Sequence, residues 1–248
     1  MKMNTPVRKL SVIVPAYNEA GTIFRVLEKV AEAELPAAVG KEVWVIDDCS
    51  ADGTGAEVER ARTLHPDACI RYLRLPENRG KGYAVRQGIA RATGDVIVIQ
   101  DADLEYDPDD YRNLLRPILA GECKVVYGSR LLDGGNKSLY PAFYWGGRLV
   151  SLVTSLLFFR KITDEPTCYK MFDAALLKSI PLVCDRFGFC PEVTAKVLGR
   201  GYKIKEVPIR YYPRSRKEGK KIKWQDGVEA IGILLKYRFS KKYRFDKK

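Results

Sequence analysis

Short apolar runs alternate with segments of helical periodicity through the first half of the chain. Leu10–Val14, Glu42–Ile46, Cys69–Leu75 and Val96–Gln100 are brief and rich in β-branched or aromatic residues, a pattern that predicts buried strands rather than helices. Between them, helices are predicted over Ala20–Glu34, after Thr54, and from Gly82 to about Thr93, with Thr54 and Glu57 spaced as a capping box. Four strand-helix units in succession predict an α/β chain with a mostly parallel sheet and right-handed crossovers. Such sheets bind ligands at the C-terminal ends of their strands. A further strand is predicted over Ile204–Tyr211.

The loops at those strand ends carry the candidate chemistry. Asp101, Asp103 and Glu105 follow the fourth run at alternate positions. In an extended segment they would face one side and could converge on one hard cation with positions left open for phosphate oxygens. Asp107-Pro-Asp109 repeats the Asp-x-Asp pattern but precedes a helical segment, so Asp107 to Asp110 read as capping carboxylates. Asp47 and Asp48 can accept hydrogen bonds from a nucleobase or ribose. Gly80 and Gly82 would let backbone approach a ligand, with Lys81 as a cation for a diphosphate. This glycine pair is not a dinucleotide fingerprint: Val85 stands where a small residue is needed, and the pair follows the third strand rather than the first.

Charge narrows the choice of partner. The 248 residues, expected to form one domain, carry a net charge of +12 and a pI near 9.4, which implies an anionic partner. The excess is C-terminal, with nine Lys or Arg against two Glu in Lys203–Lys223 and seven against one Asp in Lys236–Lys248. A non-catalytic nucleic-acid binder would account for the charge but leaves the clustered carboxylates unexplained, because an anionic pocket repels phosphate unless a metal reverses its sign. The six cysteines form no C-x-x-C pair, and with no secretory signal before the first strand they are expected to be reduced thiols in a cytosolic protein. The one histidine, His65, is expected on a solvated loop.

Pro15-Ala-Tyr-Asn-Glu19, Asp47-Asp48-Cys-Ser-Ala-Asp-Gly-Thr54, Asn78-Arg-Gly-Lys-Gly-Tyr-Ala84, Asp101-Ala-Asp103 and Gly128-Ser-Arg130 stand in an order and spacing that resembles the family 2 glycosyltransferases, most of all the polyprenyl-phosphate (dolichyl-phosphate) mannose and glucose synthases. The resemblance runs from about Leu10 to Phe239. It implies a GT-A fold, a Rossmann-like α/β architecture whose mostly parallel central sheet is flanked by helices, with amphipathic and basic helical segments toward the C-terminus. Residues 1–235 would be the catalytic domain and 236–248 a basic tail.

The implied reaction is inverting transfer of a hexose from a nucleoside-diphosphate sugar to a polyprenyl phosphate, at the cytoplasmic face of a membrane with an anionic surface and with no nucleic acid as partner. Asp101, Asp103 and Glu105 would hold Mg2+ or Mn2+. Pro15, Tyr17, Glu19, Asp47, Asp48, Lys81, Asp101 and Ala102 would contact the donor nucleotide, and Arg130, Lys170, Arg214, Lys220 and Lys221 the acceptor phosphate or donor diphosphate. Asp103, Arg130 and Glu192 are the catalytic candidates. Glu192 would be the general base if the acceptor were instead a sugar hydroxyl in glycan or lipopolysaccharide assembly; otherwise, with Pro191 at the first helical position, it caps a helix.

Gly134–Tyr144 is Gly-rich and aromatic and reads as a loop near the site. Leu149–Phe159 follows as an apolar helix, too short to cross a bilayer, which needs about 20 residues. Arg148, Ser151, Thr154 and Ser155 share one of its faces. Two readings stay open: a core helix, or one inserted shallowly into lipid.

Overall fold

The computed structural model describes residues 7–36, 38–132, 136, 141–214 and 224–240. Lys220, Lys221, most of the Gly134–Tyr144 segment and residues 241–248 lie outside that set, so the expectations placed on them are carried by sequence alone.

The predicted strand-helix alternation folds as strand β1 (Lys9–Ala16), helix α1 (Ile23–Glu32), β2 (Gly40–Asp47), α2 (Thr54–Leu64), β3 (Ile70–Arg74), α3 (Lys81–Arg91) and β4 (Val96–Ile99). There follow α4 (Tyr111–Leu119), β5 (Val125–Ser129), α5 (Pro141–Phe158), β6 (Lys170–Asp173), α6 (Ala174–Lys178), α7 (Phe189–Gly199), β7 (Ile204–Pro208) and α8 (Trp224–Phe239). One seven-stranded sheet, in the order β3-β2-β1-β4-β6-β5-β7, collects them. All pairings are parallel except those of β6, which runs antiparallel to both β4 and β5. The core lies along β1, β2, β4 and β5, whose apolar side chains are buried on both faces, as continuous Val/Ile runs in a helix-covered parallel sheet require.

Several local expectations are corrected. The fourth strand stops at Ile99, and the acidic segment is a turn rather than extended chain, with Leu104 at φ 63° and the Glu105 N–H donating to Asp103 Oδ1. The three carboxylates are therefore brought near one another by that turn and not by strand periodicity. Thr54 does not close a capping box. It is the first residue of α2, its hydroxyl donates to Asp52 and accepts the Glu19 N–H, and Gly53 takes the cap position. Asp107 does cap as expected, accepting the Asp109 N–H, while Asp110 accepts the Arg210 N–H. The last strand ends at Pro208, and Tyr211 makes an isolated bridge to Tyr106. Pro191 is the third residue of α7, not the first. Helix α8 continues to Phe239 with Tyr237 buried, so the domain boundary expected at 236 falls inside a packed helix. All six cysteines are free thiols.

One buried carboxylate ties β1, β2 and the entry to β4 together. Glu42 accepts from Ser11 Oγ at 2.6 Å, the Thr93 N–H at 2.6 Å and Lys9 Nζ at 3.0 Å. Burial alone would raise its pKa, but the donors from Ser11, the Thr93 N–H and Lys9 outweigh it and bring the carboxyl down to about 2. A folded-state pKa below the unfolded value of about 4.3 means stability that is present above that value and lost as pH falls toward 2. Glu42→Gln is expected to cost about 2 kcal/mol at neutral pH and to flatten the acid limb of thermal stability between pH 4.3 and 2, which a pH series of melting curves reads directly.

Candidate active site

The C-terminal ends of β1, β2, β3 and β4 open on one side of the sheet, where their loops are stitched together by short polar side chains. Asn18, in the left-handed region at φ 51°, donates its N–H to Ser50 Oγ and accepts the Ala51 N–H on its side chain. The Ala20 N–H donates to Asp52. Asp47 accepts from the Ser50 N–H and the Tyr72 hydroxyl, and Asp48 from the N–H groups of Arg79 and Gly80 at 2.9 and 2.6 Å. Both carboxylates are buried, so they hold the loops at the strand ends from beneath. Burial, only partly offset by the Arg79 and Gly80 N–H donors, leaves the Asp48 carboxyl raised. Pro15 lies at the buried end of β1 and Tyr17 on the surface next to it.

The glycines have a different neighbour from the one expected. A Cβ on Gly80, whose φ is 101°, would lie 2.8 Å from the Asp185 carbonyl, and one on Gly82 would lie 2.5 Å from the Cys184 carbonyl. It is the chain's own 184–186 segment that comes close here, and the N–H groups of Gly82 and Tyr83 donate to it.

The acidic turn is held from below by tyrosines. Gln100 is buried, accepts the hydroxyls of Tyr111 and Tyr169 on its Oε1 and donates to the Asp101 carbonyl. Above it the carboxylates meet cations. Lys81 Nζ stands 2.5 Å from Asp101 Oδ1, and this neighbour overrides burial to keep Asp101 ionised and Lys81 protonated. Arg214 places Nη2 at 2.8 Å from Asp103, Nη1 at 3.5 Å from Glu19 and Nε at 3.9 Å from Glu105. Glu105 also accepts the Arg214 N–H and the Tyr211 hydroxyl, each at 2.9 Å. Burial, then the charges of Asp101 and Glu105, push Asp103 up to about 7 against the pull of Arg214. Ala102 is buried between these ligand candidates. An all-oxygen donor set of this kind suits Mg2+ or Mn2+. Among the described residues, no three metal-ligating side chains are already gathered at one point.

Arg130, at the end of β5, is gripped on Nε and Nη2 by Asp164, both at 2.7 Å, and lies over the Tyr211 ring. Glu206 fixes Asp164 in turn by accepting the N–H groups of Thr163 and Asp164. Sequence reasoning gave no role to Asp164, Glu206, Tyr211 and Gln100, because each acts through a partner that only the folded chain brings beside it.

Residues 11–180 match the model described as Glycosyl transferase family 2. The chain belongs to that family. A dolichol-phosphate mannosyltransferase of Pyrococcus furiosus is 29% identical over 86% of this chain, and an undecaprenyl-phosphate mannosyltransferase of Micrococcus luteus is 28% identical over 86% of it. The chain spans 59% of the length of the first and 87% of the second. Among solved structures, glucosyl-3-phosphoglycerate synthase from Mycobacterium tuberculosis, in complex with Mn2+, UDP and glucosyl-3-phosphoglycerate, superposes with a TM-score of 0.70 at 20% identity over 93% of this chain and 80% of its own. A mannosyltransferase from Pyrobaculum calidifontis, in complex with GDP-Man and Mn2+, gives 0.63 at 24% identity over 98% and 66%. The fold is thus the mixed, mostly parallel GT-A sheet.

Two of this family 2 glycosyltransferase's candidate residues sit in the core. Lys170 is fully buried in β6, donates to the carbonyls of Glu165 and Thr167 and lies over the Tyr127 ring, leaving no surface for an acceptor phosphate. Glu192 is equally buried and accepts from the N–H groups of Val183 and Cys184, from Lys196 Nζ at 2.5 Å and from the Tyr237 hydroxyl. Against burial, Lys196, the Cys184 N–H and Tyr237 hold its pKa low. A carboxylate so engaged is a poor base and a strong clamp between α7, α8 and the 181–185 segment. Glu192→Gln is expected to cost about 2–4 kcal/mol in stability while leaving the acidic limb of the pH–rate profile in place. Paired melting and pH–rate measurements check this, and loss of the acidic limb would make Glu192 the base after all.

Proposed function

We propose that this chain transfers a hexose, mannose or glucose, from a nucleoside-diphosphate sugar to a polyprenyl phosphate at a membrane surface. The observation that carries the reading is the inside-out helix α5. Its polar residues Ser151 and Thr154 are 3% and 0% exposed, while Leu149, Leu152, Leu156 and, just past its end, Phe159 are 52%, 55%, 64% and 81% exposed. Ser151 and Thr154 bond back to carbonyls one turn earlier, and Ser151 also accepts the Glu165 N–H. Helix α8 packs alongside and exposes Val228, Leu235 and Phe239. Exposed Arg148, Arg160, Lys161, Lys236 and Arg238 accompany these apolar side chains, the composition of a surface that rests on anionic lipid. No helix among the described residues is long and apolar enough to cross a membrane. The names of the polyprenyl-phosphate relatives favour the same acceptor.

In this reading Asp101, Asp103 and Glu105 hold Mg2+ or Mn2+, which supplies charge stabilisation for the leaving diphosphate. Lys81 and Arg214 stand where that diphosphate would lie. Arg130, with Nε and Nη2 turned to Asp164, keeps Nη1 as a donor for phosphate and is held rigid by Asp164 and Glu206. An acceptor phosphate oxygen bonds to the anomeric carbon as the bond from that carbon to the diphosphate oxygen breaks, the electron pair leaving with the nucleoside diphosphate and the configuration inverting. A phosphate monoester has a second pKa near 6 and is largely dianionic at neutral pH, so the step needs no base. A hydroxyl acceptor would need one, and Glu192 is otherwise engaged.

The test is incubation with GDP- and UDP-hexoses and a short polyprenyl phosphate, with mass detection of the product. Product is expected only with a divalent cation. Asp103→Ala should abolish it and Asp107→Ala should leave most of it, so equal damage from the two would overturn the metal assignment. The membrane face predicts co-sedimentation with vesicles containing anionic lipid, weakened by salt. The double substitution Leu152→Ser, Leu156→Ser should weaken that binding by at least about tenfold without lowering the melting temperature, since both side chains are already in solvent. Binding unchanged by the pair would remove α5 from the membrane face.

A further inference from the structure

Every carboxylate of the acidic turn already has a resident cation. Lys81 neutralises Asp101 at 2.5 Å, and Arg214 reaches Asp103 at 2.8 Å, Glu19 at 3.5 Å and Glu105 at 3.9 Å. The Arg214 guanidinium lies against Asp103 and Glu105, two of the three carboxylates that a divalent ion held by this turn would draw on. Its seat is imperfect, because Nε is buried and has no hydrogen-bond partner among the described residues. The backbone of the same residue is anchored through its N–H to Glu105, so the side chain can swing away while its Cα stays in place.

We propose that Arg214 and Lys81 are exchangeable counter-ions, displaced from the carboxylates by the divalent cation and re-paired with the nucleoside diphosphate, so that metal and nucleotide bind as a mutually dependent pair. This rests on the metal assignment made above and adds the order of charge exchange. A metal ion arriving alone must expel two cations into a cleft that offers them no new anion. A diphosphate arriving alone meets cations that the carboxylates of the turn already hold. When both arrive, the metal takes the carboxylates and the released guanidinium and ammonium take phosphate oxygens, so no charge is left unpaired. Guanidinium is well suited to the exchange, since its planar fork grips carboxylate and phosphate in the same geometry.

Mn2+ binding, followed by the electron paramagnetic resonance signal of the free ion, tests this without recourse to turnover. The wild-type chain is expected to bind Mn2+ at least about tenfold more tightly in the presence of GDP or UDP than alone, and Mn2+ to raise the nucleotide affinity by the same factor. Arg214→Gln should bind Mn2+ alone about tenfold more tightly than the wild type and lose most of the coupling. Lys81→Gln, which alters the other resident cation on a different element, should shift both quantities the same way. If both variants bind Mn2+ alone like the wild type and keep the coupling, the exchange is wrong and the metal site stands. If Mn2+ binds with neither nucleotide, or binds equally to Asp103→Ala, the metal assignment itself fails and takes the exchange with it.

Discussion

Four carboxylates in one partly dehydrated cleft repel one another, and the way this chain neutralises them organises much of its C-terminal half. Glu19, Asp101, Asp103 and Glu105 come from the ends of β1 and β4, whereas the compensating Arg214 arrives after β7. To deliver it, the segment beyond β7 lies across the acidic turn, bridging Tyr211 to Tyr106 and donating the N–H groups of Tyr212 and Arg214 to Glu105. Tyr211 then touches both Glu105 and, through its ring, Arg130. The acidic turn and Arg130 are thereby joined through one tyrosine.

Much of the polar chemistry that the loops display serves the loops themselves. Asp48 accepts two successive backbone N–H groups and so closes the turn that places Lys81 at the start of α3. Gly80 and Gly82 admit the backbone of residues 184–186, and the other side of that segment is held by Glu192. The stretches from Asp48 through α3 and around Glu192 are thus one scaffold in which the buried carboxylates of Asp48 and Glu192 both meet backbone N–H donors, as the cost of leaving them unmet requires. A ligand would meet its outer surface.

Helix α5 reverses the usual orientation of an amphipathic helix in a water-soluble protein. Hydroxyls can face inward because each finds a carbonyl of its own helix, and Ser151 and Ser155 in addition satisfy N–H groups of the following loop. Burying them leaves the leucines outside. That arrangement is unfavourable in water, and the packing of α5 against α7 and α8 is what leaves this apolar face outward, the face that the proposed function sets against lipid.

The succession of strands and helices through the first four units, the parallel sheet, the family resemblance and the nearness of Asp101, Asp103 and Glu105 to one another were legible in sequence, because each depends on local pattern or short spacing. The same local reading erred where its geometry was assumed: the carboxylates lie on a turn at Leu104 rather than along a strand, and Thr54 serves Asp52 and Glu19 rather than a capping box. Which charges pair was not legible at all. Lys170 and Glu192 look like ligands by motif and are core residues by burial, while Arg214, Asp164 and Glu206 acquire their positions from partners that lie dozens of residues away or more. Burial and charge pairing are set by how elements pack in three dimensions, and no one-dimensional spacing encodes that; for the same reason the hydroxyl face of α5 could be recognised in sequence, but only packing decided that it turns inward.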